Sequence, residues 1–283
     1  MRAVPFDLRV PLSTGEVAVS TVRADSIEAV TTVDVTEPLA RELAVGTSYS
    51  SLSQDVRAEC TAVRQHVDSL ADTVLSVLKY GLQQAHLDAD FGPSHVEWRS
   101  PPDQTWRMLP YGTTTVLIDA EFPMDGDFDA AGVAQQLLDT GFQPFEALHH
   151  LHRARRDRDA RAKWIDATIA AELAIKEFLV RRSPDLAALL LEVPSPPLHK
   201  LYGSILEHYA GQRSPRLREL QKGAEVRNKL LHRPGHEAPD LEQAARYVQD
   251  VQVAVLHLVS LLDPNDDVAE YFYRGALAKA TRE

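Results

Sequence analysis

From residue 144 to residue 262, apolar side chains return every three or four positions, in runs that proline and glycine cut into separate segments. That period draws one apolar stripe along a helix, so such a stretch buries its apolar surface only by packing helix on helix. Trp164, Ala167, Ala171, Ile175 and Phe178 mark one stripe, in a helix from about Pro144 to about Arg182 whose charged middle is the place for a kink or break. Ser183-Pro184 stops it, and Pro194 to Pro197 is a stiff connector. Leu198, Leu201, Tyr202, Ile205 and Tyr209 predict the next helix, with Gly211 just past its end. Ser214-Pro215 reads as an N-cap followed by proline at the first helical position. Leu217, Leu220, Ala224 and Leu231 carry that stripe on, although Gly223 costs about 1 kcal/mol relative to alanine and could divide the helix in two. Pro234-Gly235 ends it. The last long helix runs from about Pro239 to Leu262, with Leu241, Ala244, Val248, Val251, Val255, Leu258 and Leu262 facing in. Four helices with short links predict an all-α antiparallel bundle over residues 144–283.

The first 143 residues read differently. Leu8 and Val10, then Val17, Val19 and Val22, then Val30, Val33 and Val35 form short β-branched runs split by turn residues. Further strand signals fall at His95–Trp98, Trp106–Leu109 and Thr113–Ile118, with a turn at Pro101-Pro102-Asp103. A helix is expected over residues 130–141, through Val133, Leu137 and Leu138. A long helix from about Leu52 to about His86 spaces Val56, Cys60, Val63, Val67, Leu70, Val74 and Val77 alternately four and three apart. Two readings of that seam stand: a helix lying on the N-terminal sheet, or a dimer seam. The expectation is an α+β domain over 1–143, followed by the helical bundle.

Charge follows the same division. Residues 1–150 hold 9 Lys and Arg against 22 Asp and Glu, a net of −13; residues 151–283 hold 21 against 19, a net of +2. The overall charge of −11 counts against a nucleic-acid partner, but the acidity belongs to the first half, and the second half can meet phosphate. Residues 1–20 have no apolar run behind a basic start, and the longest near-apolar stretch, Val251 to Leu262, is too short to span a bilayer. The single cysteine, Cys60, cannot form an intrachain disulfide, and a cytoplasmic, reducing compartment fits.

One segment carries chemistry. In Ala224-Glu225-Val226-Arg227-Asn228-Lys229-Leu230-Leu231-His232-Arg233, an arginine is followed by asparagine and, five positions on, by histidine near a helix end. The imidazole of His232 is the general acid/base candidate, and its place near a helix C-terminus would favour its charged form. Arg227 offers a fixed fork of donors to phosphate oxygens. Asn228 and His232 are four apart and share one face of a continuous helix, whereas Arg227 and His232 superpose less well. Glu172 interrupts an apolar helix, Ile169 to Ile175, and a carboxylate there needs a partner: either a register-fixing ion pair or a role in holding Arg227.

This pattern resembles the signature of the HEPN superfamily over roughly residues 145–265. The helix at Trp164–Lys176 resembles that family's first helix, with Glu172 as its acidic residue. The resemblance implies a metal-independent endoribonuclease in which the 2′-hydroxyl attacks the neighbouring phosphorus, with Arg227 and His232 carrying the reaction and Asn228 assisting. It also implies a homodimer whose two motif copies line one cleft, an RNA substrate, no cofactor and no metal, and the role of a toxin or phage-defence effector. The N-terminal half would then sense a trigger, receive an antitoxin, restrain the nuclease or choose the substrate. The alternative from another class is a non-catalytic helical dimer that binds a protein or nucleotide partner, with Arg227 salt-bridged to Glu172 or Glu225 and His232 capping the helix end. A third is an assembly protein using the Val56–Val77 seam.

Other patterns rank lower. Arg153, Arg155, Arg156, Arg158, Arg161 and Lys163 form a basic stretch broken by Asp157 and Asp159, read as a solvated helix face or as part of an RNA path. His149 and His152 share a helix face but lack further ligands for zinc. Asp125, Asp127 and Asp129 imitate a calcium loop, but Ala130 and Gln136 stand where glycine and glutamate are needed. No Walker or dinucleotide fingerprint is present.

Overall fold

The computed structural model of the chain describes residues 6–12, 16–23, 27–46, 48–84, 87, 96–99, 105–109, 129–192, 196–233, 237, 239–262 and 266–282. The expected strand at Thr113–Ile118, the turn at Pro101–Asp103, the helix stop at Pro234-Gly235, and Asp125 and Asp127 lie outside these residues. The chain divides into two compact units, Met1–Phe142 and Gln143–Glu283.

In the first unit, β1 (Phe6–Pro11), β2 (Val17–Val22) and β3 (Ile27–Val30) form an antiparallel sheet in that order, with Leu8 opposite Ser20 and Val19 opposite Val30. Period-two alternation sends Leu8, Val10, Ala18 and Val22 into the core. Val17 and Val19, which mark β2 in the sequence, face away from it. Val33 and Val35 lie past β3, outside any strand. The helix α1 (Glu37–Val45), not anticipated from the sequence, ends at Gly46, whose φ of 76° suits glycine. Ser53 caps α2 (Gln54–Ser76) by accepting from the Val56 amide, and α2 runs on into a π-helical turn, Val77–Gly81. The four-three seam of α2 is covered within the unit. Val56 and Cys60 pack with Leu39 and Leu43 of α1, while Leu70, Val74 and Val77 pack with the sheet. Of its two readings, the helix lying on the sheet is the one observed. A short pair, β4 (Glu97–Trp98) and β5 (Arg107–Met108), joins the α1–α2 cluster through Val96, Trp98 and Leu109. In α3 (Ala130–Asp139), Gln135 reaches the edge of β1, accepting from the Arg9 amide (2.7 Å) and donating to its carbonyl (2.9 Å), which closes part of an open strand edge.

The second unit is helical. The expected charged break is real: α4 (Ala147–Arg156) and α5 (Ala160–Arg182) are separate helices, and Asp159 caps α5 by accepting from the Arg161 and Ala162 amides. Alanines 167, 170, 171 and 174 give α5 little bulk, so neighbours approach closely and the helix is buried on most sides. The stripe named from the sequence, Trp164, Ala167, Ala171, Ile175 and Phe178, is buried in full. After α6 (Ala187–Glu192) the chain forms α7 (Leu198–Lys200), a π-helical turn at Leu201–Ile205 kinked at Gly203, and α8 (Leu206–Ala210). Gly211 follows at φ 78°, as expected. The Tyr202 hydroxyl donates to the Ala171 carbonyl at 2.8 Å, pinning the turn to α5. The helix α9 (Leu217–His232) starts later than Ser214-Pro215 predicts, because the Ser214 hydroxyl accepts from the Arg216 amide and holds those residues as a turn. It runs unbroken through Gly223. Asp240 caps α10 (Leu241–Leu262). The four-helix expectation is corrected by α11 (Asp267–Arg282), which folds back on α10 with Asp266 accepting from the Val268 and Ala269 amides. Among the described residues, no helix is long and apolar enough to cross a membrane.

Asp250 on α10 lies 3.5 Å from Arg216, and burial pushes its carboxyl up to about 6, with Arg216 opposing and Glu219 adding to the shift. The folded state therefore holds this proton more tightly than the unfolded chain, and stability falls as pH rises from the ordinary carboxylate value toward 6. An Asp250→Asn variant is expected to melt above the parent chain at pH 7.5, with the two melting temperatures converging as pH falls through about 6 toward 4. A gap that does not change with pH would mean that Asp250 is ionised throughout.

Candidate functional site

The site is built on α5 and α9. Trp164 of α5 donates through Nε1 to the Gly223 carbonyl of α9 at 3.0 Å and stacks on Tyr247 of α10, with ring centroids 4.3 Å apart. The Tyr247 hydroxyl meets Thr168 Oγ1 at 3.1 Å. Only glycine allows this approach, since a Cβ at 223 would lie 2.0 Å from Tyr247 Cζ. Burial drives the Tyr247 hydroxyl well above its ordinary value, so it stays neutral; the Thr168 bond and the Arg227 charge oppose that shift, and Asp250 adds to it.

Above this aromatic node lies an open pocket of about 540 Å³. Thr168 and Glu172 of α5 and Ala224, Arg227 and Asn228 of α9 line it, together with Pro196, Pro197, Leu198 and His199. On α9, Gln221, Glu225 and Asn228 follow one another three and four positions apart on the pocket side.

Arg227 and Asn228 are thus brought together. The Arg227 Nη1 donates to Asn228 Oδ1 at 3.2 Å, and Arg227 Nε is buried with no hydrogen-bond acceptor among the described residues. A guanidinium that lines an open pocket can offer its terminal donors to an acceptor from outside, and an anionic oxygen is the strongest one available. Glu172 lines the same pocket, but its ion pair is with Lys176, 2.9 Å away and one turn on along its own helix. The buried carboxylate of α5 is instead Asp166, held by the Arg153 guanidinium with His150 alongside. Its signal in the sequence was the basic run opposite it. His232 is the last residue of α9, exposed, and not part of the pocket lining; it continues the Gln221–Glu225–Asn228 face one turn beyond.

The basic stretch does other work. Lys163 Nζ donates to the Ala154 and Arg155 carbonyls at the end of α4, and Arg161 donates to the Leu230 carbonyl in the last turn of α9. Cations at helix C-termini satisfy carbonyls that have no intrahelical partner. Arg153, Arg161 and Lys163 are therefore structural, and Arg161 fixes the turn that carries His232. His199 was not singled out by sequence reasoning, because its place in the pocket depends on α7 packing against α9.

No family model, no curated protein and no solved structure matches the chain.

Proposed function

We propose that the C-terminal unit is an endoribonuclease of HEPN type, cutting RNA at the pocket beside Arg227. The observation that supports this is Arg227, which lines an open pocket beside Asn228 and is joined to it by a hydrogen bond. A phosphodiester oxygen accepts from the guanidinium's terminal donors, and the same charge stabilises the crowded phosphorus in the transition state. The RNA 2′-hydroxyl attacks the adjacent phosphorus, the bond to the 5′-oxygen breaks, and a 2′,3′-cyclic phosphate and a 5′-hydroxyl result. His232, one turn beyond Asn228 on α9, moves protons, and Asn228 orients the phosphate or Arg227 through its carboxamide. No metal takes part in this scheme, and a homodimer would bring the two α9 ends together. The N-terminal unit would then answer to a trigger or an antitoxin, as suits a toxin or antiviral effector acting in the cytoplasm.

The alternative is a helical module that binds a protein or nucleotide without cutting, and the position of His232 outside the pocket lining favours it. One assay separates the two. The parent chain and His232→Ala are incubated with single-stranded RNA in excess EDTA, and the product ends are identified. Cleavage to cyclic-phosphate ends by the parent, slowed by about 100-fold or more in the variant, supports the nuclease. RNA bound but left intact by both makes the unit a binding module.

A further inference from the structure

In-line attack places the entering 2′-oxygen and the leaving 5′-oxygen on opposite sides of phosphorus. One imidazole cannot touch both at once, so a fast reaction at neutral pH needs two proton-transfer groups flanking the phosphate. On α9, His232 lies on the Asn228 face, about 6 Å further along the helix axis, and serves one side at most. Residues 196–199 also line the pocket, from a segment packed against α9, and their one titratable side chain is His199. His199 is exposed to the pocket, packed through α7 against α9, and faces the same space as Arg227 and Asn228. Pro196 and Pro197 stiffen the backbone just before it, so the imidazole is held on a wall of restricted freedom.

We infer that His199 is a second catalytic residue of the chain, exchanging a proton with the RNA 2′- or 5′-oxygen from the α7 part of the pocket lining while His232 serves the other. The inference rests on the nuclease reading. In the reaction the 2′-oxygen forms its bond to phosphorus and loses its proton to one imidazole. The bond from phosphorus to the 5′-oxygen breaks, and that oxygen takes a proton from the other imidazolium. Charge and atoms balance with no further reactant. The pocket lining of each protomer then carries His199, with His232 one turn of α9 beyond Asn228.

The test is a single-turnover pH–rate profile on a short single-stranded RNA, with the parent chain, His199→Ala and His199→Gln. Affinity for the matching 2′-deoxy strand, which cannot be cut, is measured alongside. Both variants are expected to lose about 100-fold or more in rate and one limb of the bell-shaped profile, while binding the deoxy strand within about threefold of the parent. An unchanged rate or an intact bell in the variants overturns the role of His199 and leaves the nuclease standing if the parent cuts. Rate and affinity falling together make His199 a wall residue only and also overturn it. A parent chain that leaves RNA whole removes the nuclease reading and this inference with it.

Discussion

Replacing Gly223 with alanine is expected to lower stability by about 2–3 kcal/mol, despite alanine being the better helix former by about 1 kcal/mol. The added Cβ would stand 2.0 Å from Tyr247 Cζ, 2.1 Å from Cε2 and 2.2 Å from the hydroxyl. That ring has little room to yield. It is stacked on Trp164, joined through its hydroxyl to Thr168, and 4% exposed. To admit the methyl group, α9 must lift away from α5 and α10, giving up the Trp164 bond to the Gly223 carbonyl and the floor beneath Arg227. Denaturant unfolding measures the loss, and near-ultraviolet circular dichroism should report the disturbed Trp164–Tyr247 stack. An alanine variant as stable as the parent would mean that Tyr247 swings aside and that the node is softer than its packing implies.

Arg227→Ala is expected to slow RNA cleavage by about 10³-fold while unfolding close to the parent chain. The two effects separate because the only hydrogen bond Arg227 makes among the described residues goes to Asn228, its neighbour on an exposed part of the helix. Little holding the fold together is lost, whereas the fork of donors facing the pocket disappears. Arg227→Lys should recover little of the rate, since an ammonium keeps the charge but has neither the planar fork nor a donor at the Nε position. Single-turnover cleavage of one labelled RNA by the three proteins decides the matter. A lysine variant near the parent rate would show that charge alone is used, and an alanine variant near it would detach this pocket from the chemistry.

The periods of two and of three-to-four were strong enough in the sequence to place β1, β2, α5 and α10. Weaker signals failed for identifiable reasons. The helix α11 carries Tyr271, Phe272 and Tyr273 in a row, which blurs its stripe, and α10 supplies the surface it needs. A start for α9 at Ser214-Pro215 was a sound capping argument, but the Ser214 hydroxyl found a nearer amide in a turn. Gly223 looked like a weakness in a helix because its reason, the ring of Tyr247, lies on another helix.

By itself the sequence determined the helical character of α2, α5, α9 and α10, the extended character of β1 and β2, and which residue types line up along α9, since these depend on neighbours within a few positions. It supplied Arg227, Asn228 and His232 as a row of chemistry without saying what they face. Only the tertiary structure decided that Glu172 pairs with Lys176 instead of Arg227. A glutamate with a lysine one turn on along its own helix needs little further ordering to meet it. Tertiary packing also brought His199 into the same pocket lining as Arg227 and Asn228, because contacts between segments far apart in the chain are fixed by how helices pack and not by local pattern.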